Sequence, residues 1–140
     1  MSDSLSPAKR SWNMSRIKGK DTSIEVKVRK YLFRQGFRYR KNVKSLPGKP
    51  DLVLPRYQAV VFVHGCFWHR HPGCKDAYMP KSRTEFWQEK FKQNVRNDSL
   101  HRKALARDGW RVFVVWECDI NNRFEKTMCL LVDRLKKKEQ

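Results

Sequence analysis

The run Ala59-Val60-Val61-Phe62-Val63 is the feature that most constrains how this chain of 140 residues can fold. Its unbroken apolar character predicts a strand that is covered on both faces, because a strand with one wet face alternates polar and apolar residues. Such a strand belongs in the middle of a sheet that carries helices on both sides. The length of the chain suits one domain with a single hydrophobic core.

Shorter patterns on either side predict the rest of the sheet and its helices. Residues 51–54 and 110–116 are strand-like, residues 37–43 alternate enough to form a strand, and Pro47-Gly48-Lys49-Pro50 indicates a turn. Helices are predicted from Asp21 or Thr22 to Gly36, from a capping box at 82–85, from Leu100 to Gly109 after a break at Asn97-Asp98, and from a second capping box at 122–125. This order predicts an α/β fold, a mixed sheet flanked by helices, whose ligands bind beyond the strand ends.

The charge of the chain predicts a polyanionic partner. Lys and Arg number 32 against 14 Asp and Glu, a formal net charge of +18. Neutralising phosphates releases counterions, so nucleic acid is the expected partner, and an anionic membrane surface is the alternative. Because the sequence has neither a run of about 20 apolar residues nor a signal peptide, we expect a cytoplasmic, nucleoid-associated protein without a membrane partner. Residues 1–13 are expected to be a flexible segment and residues 14–140 a single domain.

A cluster of histidines and cysteines directly follows the apolar run. Cys66, His71 and Cys74 form a tight local group, and Cys118 lies just past the strand at 110–116, where a neighbouring strand could bring it alongside. Four nitrogen and sulfur ligands predict a closed, structural zinc site that holds a polar loop on the sheet. The alternative is three unrelated thiols and a loop histidine. Cys129, next to Met128, is expected to be a core thiol.

Two histidines and one aspartate remain as candidates for catalysis. His64 and His69 flank an aromatic pair and can carry protons near neutral pH. Asp51 begins a predicted strand, and a carboxylate there can hold magnesium, which prefers oxygen ligands. The alternative interpretation of Asp51 is an aspartate that only caps a turn.

Several short motifs follow one another through the chain. They are Asp21-Thr22 with Glu25, Ser45-Leu46-Pro47-Gly48-Lys49-Pro50-Asp51, His64-Gly65-Cys66-Phe67-Trp68-His69, Arg83-Thr84-Glu85-Phe86-Trp87 and Val115-Trp116-Glu117-Cys118. In this order they resemble the very short patch repair DNA endonucleases, over about residues 13–119. The resemblance implies a restriction-endonuclease-like fold. It also implies nicking of double-stranded DNA 5′ of the thymine in a T:G mismatch left by deamination of 5-methylcytosine, with mismatch-repair proteins as candidate partners.

The resemblance also implies roles for particular residues. Asp51 would be the main magnesium ligand, with the backbone carbonyl of Val63 as the second. His69 would act as general base or orient the attacking water, and His64 would assist near the scissile phosphate. Two acidic residues would support this site, Glu25 and Asp98. The zinc would be bound by Cys66, His71, Cys74 and Cys118.

Aromatic and apolar side chains would wedge into the base stack beside the mismatch. The resemblance assigns this role to Phe67, Trp68 and Trp87, helped by Met14 and Ile17 from the N-terminal segment. A T:G pair is weakly stacked, so insertion costs least at the lesion. The alternative is that the three aromatic residues belong to the hydrophobic core.

The chain departs from the family pattern at two places. Val63 stands where threonine is common, which is compatible with a ligand that contributes only its carbonyl. The segment His71-Pro72-Gly73-Cys74 is one residue longer than the commoner spacing. Two other functions also fit the sequence, a non-catalytic zinc-stabilised DNA-binding module and a nuclease of the same fold with another DNA target.

Overall fold

The computed structural model describes residues 23–137, which form a mixed sheet with helices on both faces. The sheet order is β1-β2-β3-β4, where the first three strands are antiparallel neighbours and β3 and β4 are parallel. The strands are β1 (Arg40–Lys41), β2 (Leu52–Leu54), β3 (Ala59–His64) and β4 (Arg111–Trp116), and a 3-10 turn at Pro55–Tyr57 links β2 to β3. The helices are α1 (Ser23–Arg34), α2 (Thr84–Arg107), α3 (Glu117–Asn122) and α4 (Phe124–Lys136).

The prediction that residues 59–63 form a doubly covered central strand is confirmed. All six residues of β3 are buried. On one face Val61 and Val63 pack in a core with residues of α1 and α4, and on the other Val60 and Phe62 pack with Leu105 of α2. The mixed α/β architecture is therefore confirmed as well.

Helix α2 corrects the prediction of a break at Asn97-Asp98. It continues without interruption through 24 residues. An Asn or Asp in a helix interior costs only about 0.5 kcal/mol. A tertiary contact of Asp98, described below, offsets this cost.

Neither predicted capping box forms. The residues before α2 and α4, Arg83 and Arg123, make no side-chain cap hydrogen bond. Arg83 has a left-handed φ of 55°, and the Thr84 hydroxyl donates instead to the carbonyl of Lys81 at 3.4 Å. The predicted strand at 37–43 shortens to two residues, because Asn42 has a left-handed φ of 52° that ends the extended segment.

The predicted helix ends at Gly36 and Gly109 are confirmed. Phe37 N–H donates to Leu32 and Gly36 N–H to Phe33, and Trp110 and Gly109 repeat the pattern after α2. This double hydrogen bond with a left-handed glycine is the Schellman motif. The proposed helix cap at Asp21 or Thr22, the segment 1–13, Met14 and Ile17 lie outside the described residues. Among residues 23–137, no helix combines the length and apolarity needed to cross a membrane.

The turn before Asp51 rests directly on α2. Lys49 N–H donates to the carbonyl of Leu46 at 3.0 Å, and Gly48 has a φ of +76°. A Cβ at Gly48 would lie 2.9 Å from the Cβ of His101. The glycine is therefore required both by the backbone conformation and by the close approach of the helix.

Substituting Gly48 by alanine tests this contact. We expect Gly48→Ala to lower the free energy of unfolding by about 2–4 kcal/mol, because a left-handed alanine and a clash with His101 act together. Gly36→Ala is the matched control, since Gly36 has φ +93° with nothing within 4 Å of the added Cβ. It should cost only about 1 kcal/mol. Urea unfolding of both variants measures the difference, and equal losses would contradict the proposed contact.

Candidate metal centre and active site

The parallel pairing of β3 with β4 brings the candidate metal ligands together. His64 pairs with Trp116 at the end of the two strands, and Cys66 and Cys118 each follow two residues later. Both cysteines therefore leave the sheet at the same edge. The prediction that a neighbouring strand brings Cys118 to the local group is confirmed.

The four predicted ligand atoms lie within 4.8 Å of one another. His71 Nδ1 is 3.6 Å from Cys66 Sγ and 3.4 Å from Cys118 Sγ, and Cys74 completes the group. A sulfur and a nitrogen bound to one tetrahedral zinc, at about 2.3 Å and about 2.0 Å, lie about 3.5 Å apart. The residues present therefore fit a tetrahedral ion of this kind.

Neighbouring groups hold the ligands in this arrangement. Cys118 N–H donates to Cys66 Sγ at 3.4 Å, and Glu117 Oε1 accepts from Cys66 N–H at 3.3 Å. The His71 ring stacks on Trp116 with centroids 4.2 Å apart. Burial raises the pKa of the metal-free Cys66 thiol to about 12, so a bound cation is needed to keep it as a thiolate at neutral pH.

A second group of side chains surrounds Asp51, next to the carboxyl end of β3. Asp51 Oδ2 accepts a hydrogen bond of 2.6 Å from Val63 N–H. Glu25 of α1, which is 4% exposed, hydrogen-bonds to the Asp51 carboxyl group. Burial, followed by the hydrogen bond to Glu25, raises the pKa of Asp51 to about 8. Asp51 therefore keeps a proton at neutral pH when no cation balances its charge.

The carbonyl of Val63 is turned toward the same side as its N–H. In an extended strand the two backbone groups of one residue point to the same edge, as in a hydrogen-bonded antiparallel pair. The N–H of Val63 points at Asp51, so its carbonyl faces the aspartate side of β3. Two predicted oxygen ligands are thus on one side of the strand.

A third group lies between β3 and α2 and contains His64, His69 and Asp98. The rings of His64 and His69 stack with centroids 3.8 Å apart and planes at 5°, and His69 Nδ1 is 2.7 Å from Asp98 Oδ2. The Nδ1 atom of His64 is buried without a hydrogen-bond partner among the described residues. Burial, with the nearby His69, lowers the pKa of His64 to about 3, so its ring is neutral at pH 7.

The stacking decides what these histidines can do together. Their ligand atoms and the Asp98 oxygen are close enough for a metal ion. However, two parallel rings cannot both direct an in-plane lone pair at one ion, and Asp98 already binds His69 Nδ1. The arrangement therefore suits proton transfer through His69 better than chelation.

Aromatic residues form a fourth part of the site. Phe67 contacts Trp68 and Trp87 with ring centroids 5.1 and 5.7 Å apart, and Trp68 lies 5.8 Å from Trp87. All three rings are partly exposed, and beneath them Phe91 is buried. None of the three belongs to either of the two hydrophobic core clusters of residues 23–137, which disfavours the core interpretation.

No role was predicted from the sequence for Arg70, which anchors the loop that carries Phe67 and Trp68. Its guanidinium donates to the carbonyls of Phe67, Ala77 and Tyr78 at 3.0, 2.7 and 3.1 Å, and it lies 3.8 Å from the Phe91 ring centroid. A planar donor with five N–H groups suits this role. Its position directly after His69 was the sequence signal that could have indicated a role in this site.

Glu117 and Trp116 were also not assigned roles, although they belong to the motif that contains Cys118. Trp116 stacks on His71 and also packs edge-on against His64 at 5.2 Å. One ring thus contacts both the metal centre and the histidine pair. The prediction that Cys129 is a core thiol is wrong. It lies on the exposed side of α4, 3.9 Å from the hydroxyl of Tyr31.

Comparisons with known proteins agree on one family. The family described as DNA mismatch endonuclease Vsr matches residues 2–76. A type II nicking enzyme, V.NmeAIP of Neisseria meningitidis, is 50% identical over 88% of this chain and 87% of its own length. V.XorIIP of Xanthomonas oryzae is 45% identical over 87% and 89%. The DNA mismatch endonuclease Vsr of Escherichia coli is 44% identical over 96% and 86%.

The pKa of Asp51 predicts how stability depends on pH in magnesium-free buffer. Between about pH 6.5 and pH 8 the folded protein keeps a proton on Asp51, whereas the unfolded chain, with its ordinary pKa of 3.8, does not. The folded state binds more protons, so the free energy of unfolding falls as pH rises, by at most about 1.4 kcal/mol per pH unit. His64 contributes with the opposite sign near pH 6.5, where the unfolded chain is still partly protonated at its ordinary pKa of 6.5, and this contribution fades as the pH approaches 8.

Asp51→Asn provides the matched comparison. The difference in unfolding free energy between the wild-type chain and this variant should decrease steadily from pH 6.5 to pH 8, measured by urea unfolding. Titrating groups that do not contact Asp51, including the cysteines, cancel in that difference. A difference that stays constant would mean that Asp51 is already ionised in the folded protein.

Proposed function

Since the chain belongs to the DNA mismatch endonuclease Vsr family, we propose that it nicks duplex DNA 5′ of the thymine in a T:G mismatch. The lesion would arise from deamination of 5-methylcytosine, and the nick would start very short patch repair. The observation that carries the proposal is that two groups lie beside the end of β3, Asp51 hydrogen-bonded to Val63 and the His69–Asp98 pair stacked on His64. The mixed sheet supports a restriction-endonuclease-like fold, formed by residues 14–140 as one domain.

In this proposal, the carboxylate of Asp51 and the carbonyl of Val63 hold magnesium. Oxygen ligands suit this ion, and the proton that Asp51 keeps at neutral pH is the positive charge that a cation would replace. Magnesium would neutralise charge on the scissile phosphate. Valine serves at position 63, because the backbone supplies the ligand.

His69 is proposed to take a proton from the attacking water. Asp98 binds Nδ1 of His69 at 2.7 Å, which fixes the ring and leaves Nε2 as the nitrogen that can accept a proton. His64 stacks on that ring and is neutral, so it supports the orientation of His69 without adding a competing charge. In this scheme Glu25 and Asp98 support the groups that meet the phosphate and water.

The partly exposed aromatic residues are proposed to read the mismatch. Phe67, Trp68 and Trp87 would enter the base stack at the T:G pair, with Met14 and Ile17 contributing from the segment outside the described residues. Unstacking costs a few kcal/mol, least at a mispair, so insertion favours the lesion. The anchoring of the loop by Arg70 supports this role, since a wedge must resist the stacked bases.

We propose zinc as the ion bound by Cys66, His71, Cys74 and Cys118. Three sulfurs and one nitrogen with tetrahedral spacing favour zinc, and a full set of protein ligands leaves no position for a reacting water. Its role would be to hold the loop that carries His69 and the aromatic residues. Mismatch-repair proteins as partners, and association with the nucleoid, remain part of the proposal.

A second candidate is a nicking nuclease whose DNA target has a different sequence context. The specific observation is that two relatives with 50% and 45% identity are named type II nicking enzymes. The structure of residues 23–137 does not favour the T:G target over the other DNA target. A non-catalytic DNA-binding module is less well supported, because it leaves the Asp51–Glu25 and His69–Asp98 pairs without a role.

A nicking assay distinguishes these candidates. Duplexes with T:G, T:A, C:G and A:C pairs in several flanking sequences are incubated with the full-length chain and magnesium. We expect the T:G duplex to be nicked at least about 100-fold faster than its T:A counterpart in one flanking context. Equal rates for T:G and T:A would exclude mismatch recognition, and salt-sensitive binding without nicking would favour the non-catalytic module.

Asp51→Asn tests the catalytic assignment in the same assay. The amide keeps the shape of the side chain but removes the charge needed to hold magnesium, so nicking should fall at least about 1,000-fold while DNA binding persists. Asp108→Asn is the control, because Asp108 is an exposed aspartate at the end of α2. A fully active Asp51→Asn variant would refute the magnesium role.

The zinc assignment is tested by metal content. We expect about one zinc per chain in the wild-type protein. Cys118→Ser should lose it and become less stable by about 3 kcal/mol or more. Cys129→Ser is the matched control, since this exposed cysteine lies outside the ligand group. Retention of zinc by Cys118→Ser, measured by elemental analysis after dialysis against a weak chelator, would contradict the ligand set.

A further inference from the structure

Strand β4 has a free edge among the described residues. It lies at the end of the sheet order and, within residues 23–137, pairs only with β3. Arg111 N–H donates to Gln58 on the β3 side, so alternate residues point the other way and direct the N–H and C=O of Val112 and Val114 outward. These are unused ladder groups of the kind that an additional strand can pair with.

This edge lacks the usual protection against strand addition. Its register with β3 runs without a bulge from Arg111 to Trp116, and residues 112–116 contain neither proline nor lysine. Natural edge strands normally carry such features, or are covered by another segment. An apolar, unbulged edge of this length therefore indicates a surface that is covered in use.

Helix α4 forms the second wall of a groove along this edge. The groove has a volume of about 360 Å³, and its lining includes Val112 and Val114 of β4 and Leu130 of α4, which is 50% exposed. Its walls are preformed. Arg111 donates to the carbonyls of Arg134 and Leu135 at 3.0 Å each, which holds the end of α4 against the sheet.

The charge of the groove selects its occupant. Its lining includes the cations Arg123, Lys126 and Arg134 but a single acid, Asp119, which is bonded to Arg123 at 2.9 Å. A second copy of the chain would be repelled, because each copy carries a net charge of +18. The occupant that fits is an extended acidic segment. Its alternate side chains would contact Leu130 and the cations.

We propose that the groove between β4 and α4 binds an extended acidic segment of a partner protein, which pairs with the backbone of Val112 and Val114 as a fifth strand. Main-chain hydrogen bonds would supply affinity, and the three cations would select acidic segments. The proposal is independent of the nicking activity, since it uses none of the residues assigned to catalysis.

The experiment uses a fluorescein-labelled peptide of alternating valine and glutamate, about 12 residues long, with the full-length zinc-loaded chain. The chain carries ¹⁵N-valine, and hydrogen exchange is followed at the amides of Val112 and Val114, with the inward-facing Val115 as the internal control. In the free chain the first two should exchange fast and Val115 slowly. The peptide should slow Val112 and Val114 at least about tenfold.

Two changes separate strand pairing from simple charge attraction. A peptide N-methylated at alternate residues on its pairing edge should bind at least about tenfold more weakly than the parent peptide, because its ladder donors are removed. The double variant Lys126→Glu and Arg134→Glu should also bind at least about tenfold more weakly. The double variant Lys30→Glu and Lys136→Glu is the control, because it changes the net charge by the same amount. Both residues are exposed and lie outside the groove lining.

Several results would overturn the proposal. Slow exchange of Val112 and Val114 in the free monomer would mean that another segment of this chain covers the edge. Slow exchange with a dimeric mass in sedimentation would assign the groove to a second copy. Displacement of the peptide by duplex DNA, with protection of the same amides, would make the groove a DNA surface. Equal binding by the N-methylated and parent peptides would mean that charge attraction, and not strand pairing, holds the peptide. All variants should nick as the wild type does.

Discussion

The parallel pairing of β3 with β4 is the constraint on which the rest of the site depends. It aligns six residue pairs and ends both strands at one edge, where His64 faces Trp116. This pairing brings Cys118, more than 50 positions along the chain, to Cys66 at that edge. A metal ion bound there would in turn anchor a loop whose polar composition does not provide enough apolar burial to order it.

Two groups around the end of β3 have pKa values that are shifted in opposite directions. Burial raises the pKa of Asp51 and lowers that of His64, so at neutral pH the metal-free site holds a proton on Asp51 and none on this histidine. Burial favours the neutral form in both cases. A cation that binds Asp51 would displace this proton to solvent, close to a histidine that does not repel the cation. Lysines and arginines elsewhere on the surface can attract DNA without changing this local balance.

The main features of the fold could be predicted from residues whose environment is local and strongly patterned. The apolar run at 59–63 indicated the central strand, and Gly36 and Gly109 indicated two helix ends. Predictions failed where tertiary contacts outweigh local preference. Asn97-Asp98 looked like a break because these residues favour caps, yet the bond of Asp98 to His69 keeps α2 continuous. Cys129 was assigned to the core because it follows Met128, but successive helical residues point about 100° apart, and only Met128 of the two faces the core.

The candidate site was predictable to a similar extent. The spacing of Cys66, His71 and Cys74 is visible in the sequence, and Cys118 required only the assumption of a neighbouring strand. The stacking of His64 on His69 was not predictable from spacing, because it depends on how the loop between them folds back. The contact of Glu25 with Asp51 was not predictable because it joins a helix to a turn far along the chain. Arg70 was missed because its partners are backbone carbonyls, which carry no sequence signature.

The continuity of α2 has a mechanical consequence. Trp87 and Asp98 are eleven positions apart on one unbroken helix, a distance of about 16 Å along its axis. A helix of this length behaves as a stiff rod, and His101, in its C-terminal third, contacts the turn at Gly48, which leads to Asp51. A force on Trp87 would therefore tilt the helix about this contact and move the carboxylate of Asp98 that binds His69 in the same direction. Trp87 and Asp98 would then be two points on one arm of a single lever, with Asp98 close to its pivot.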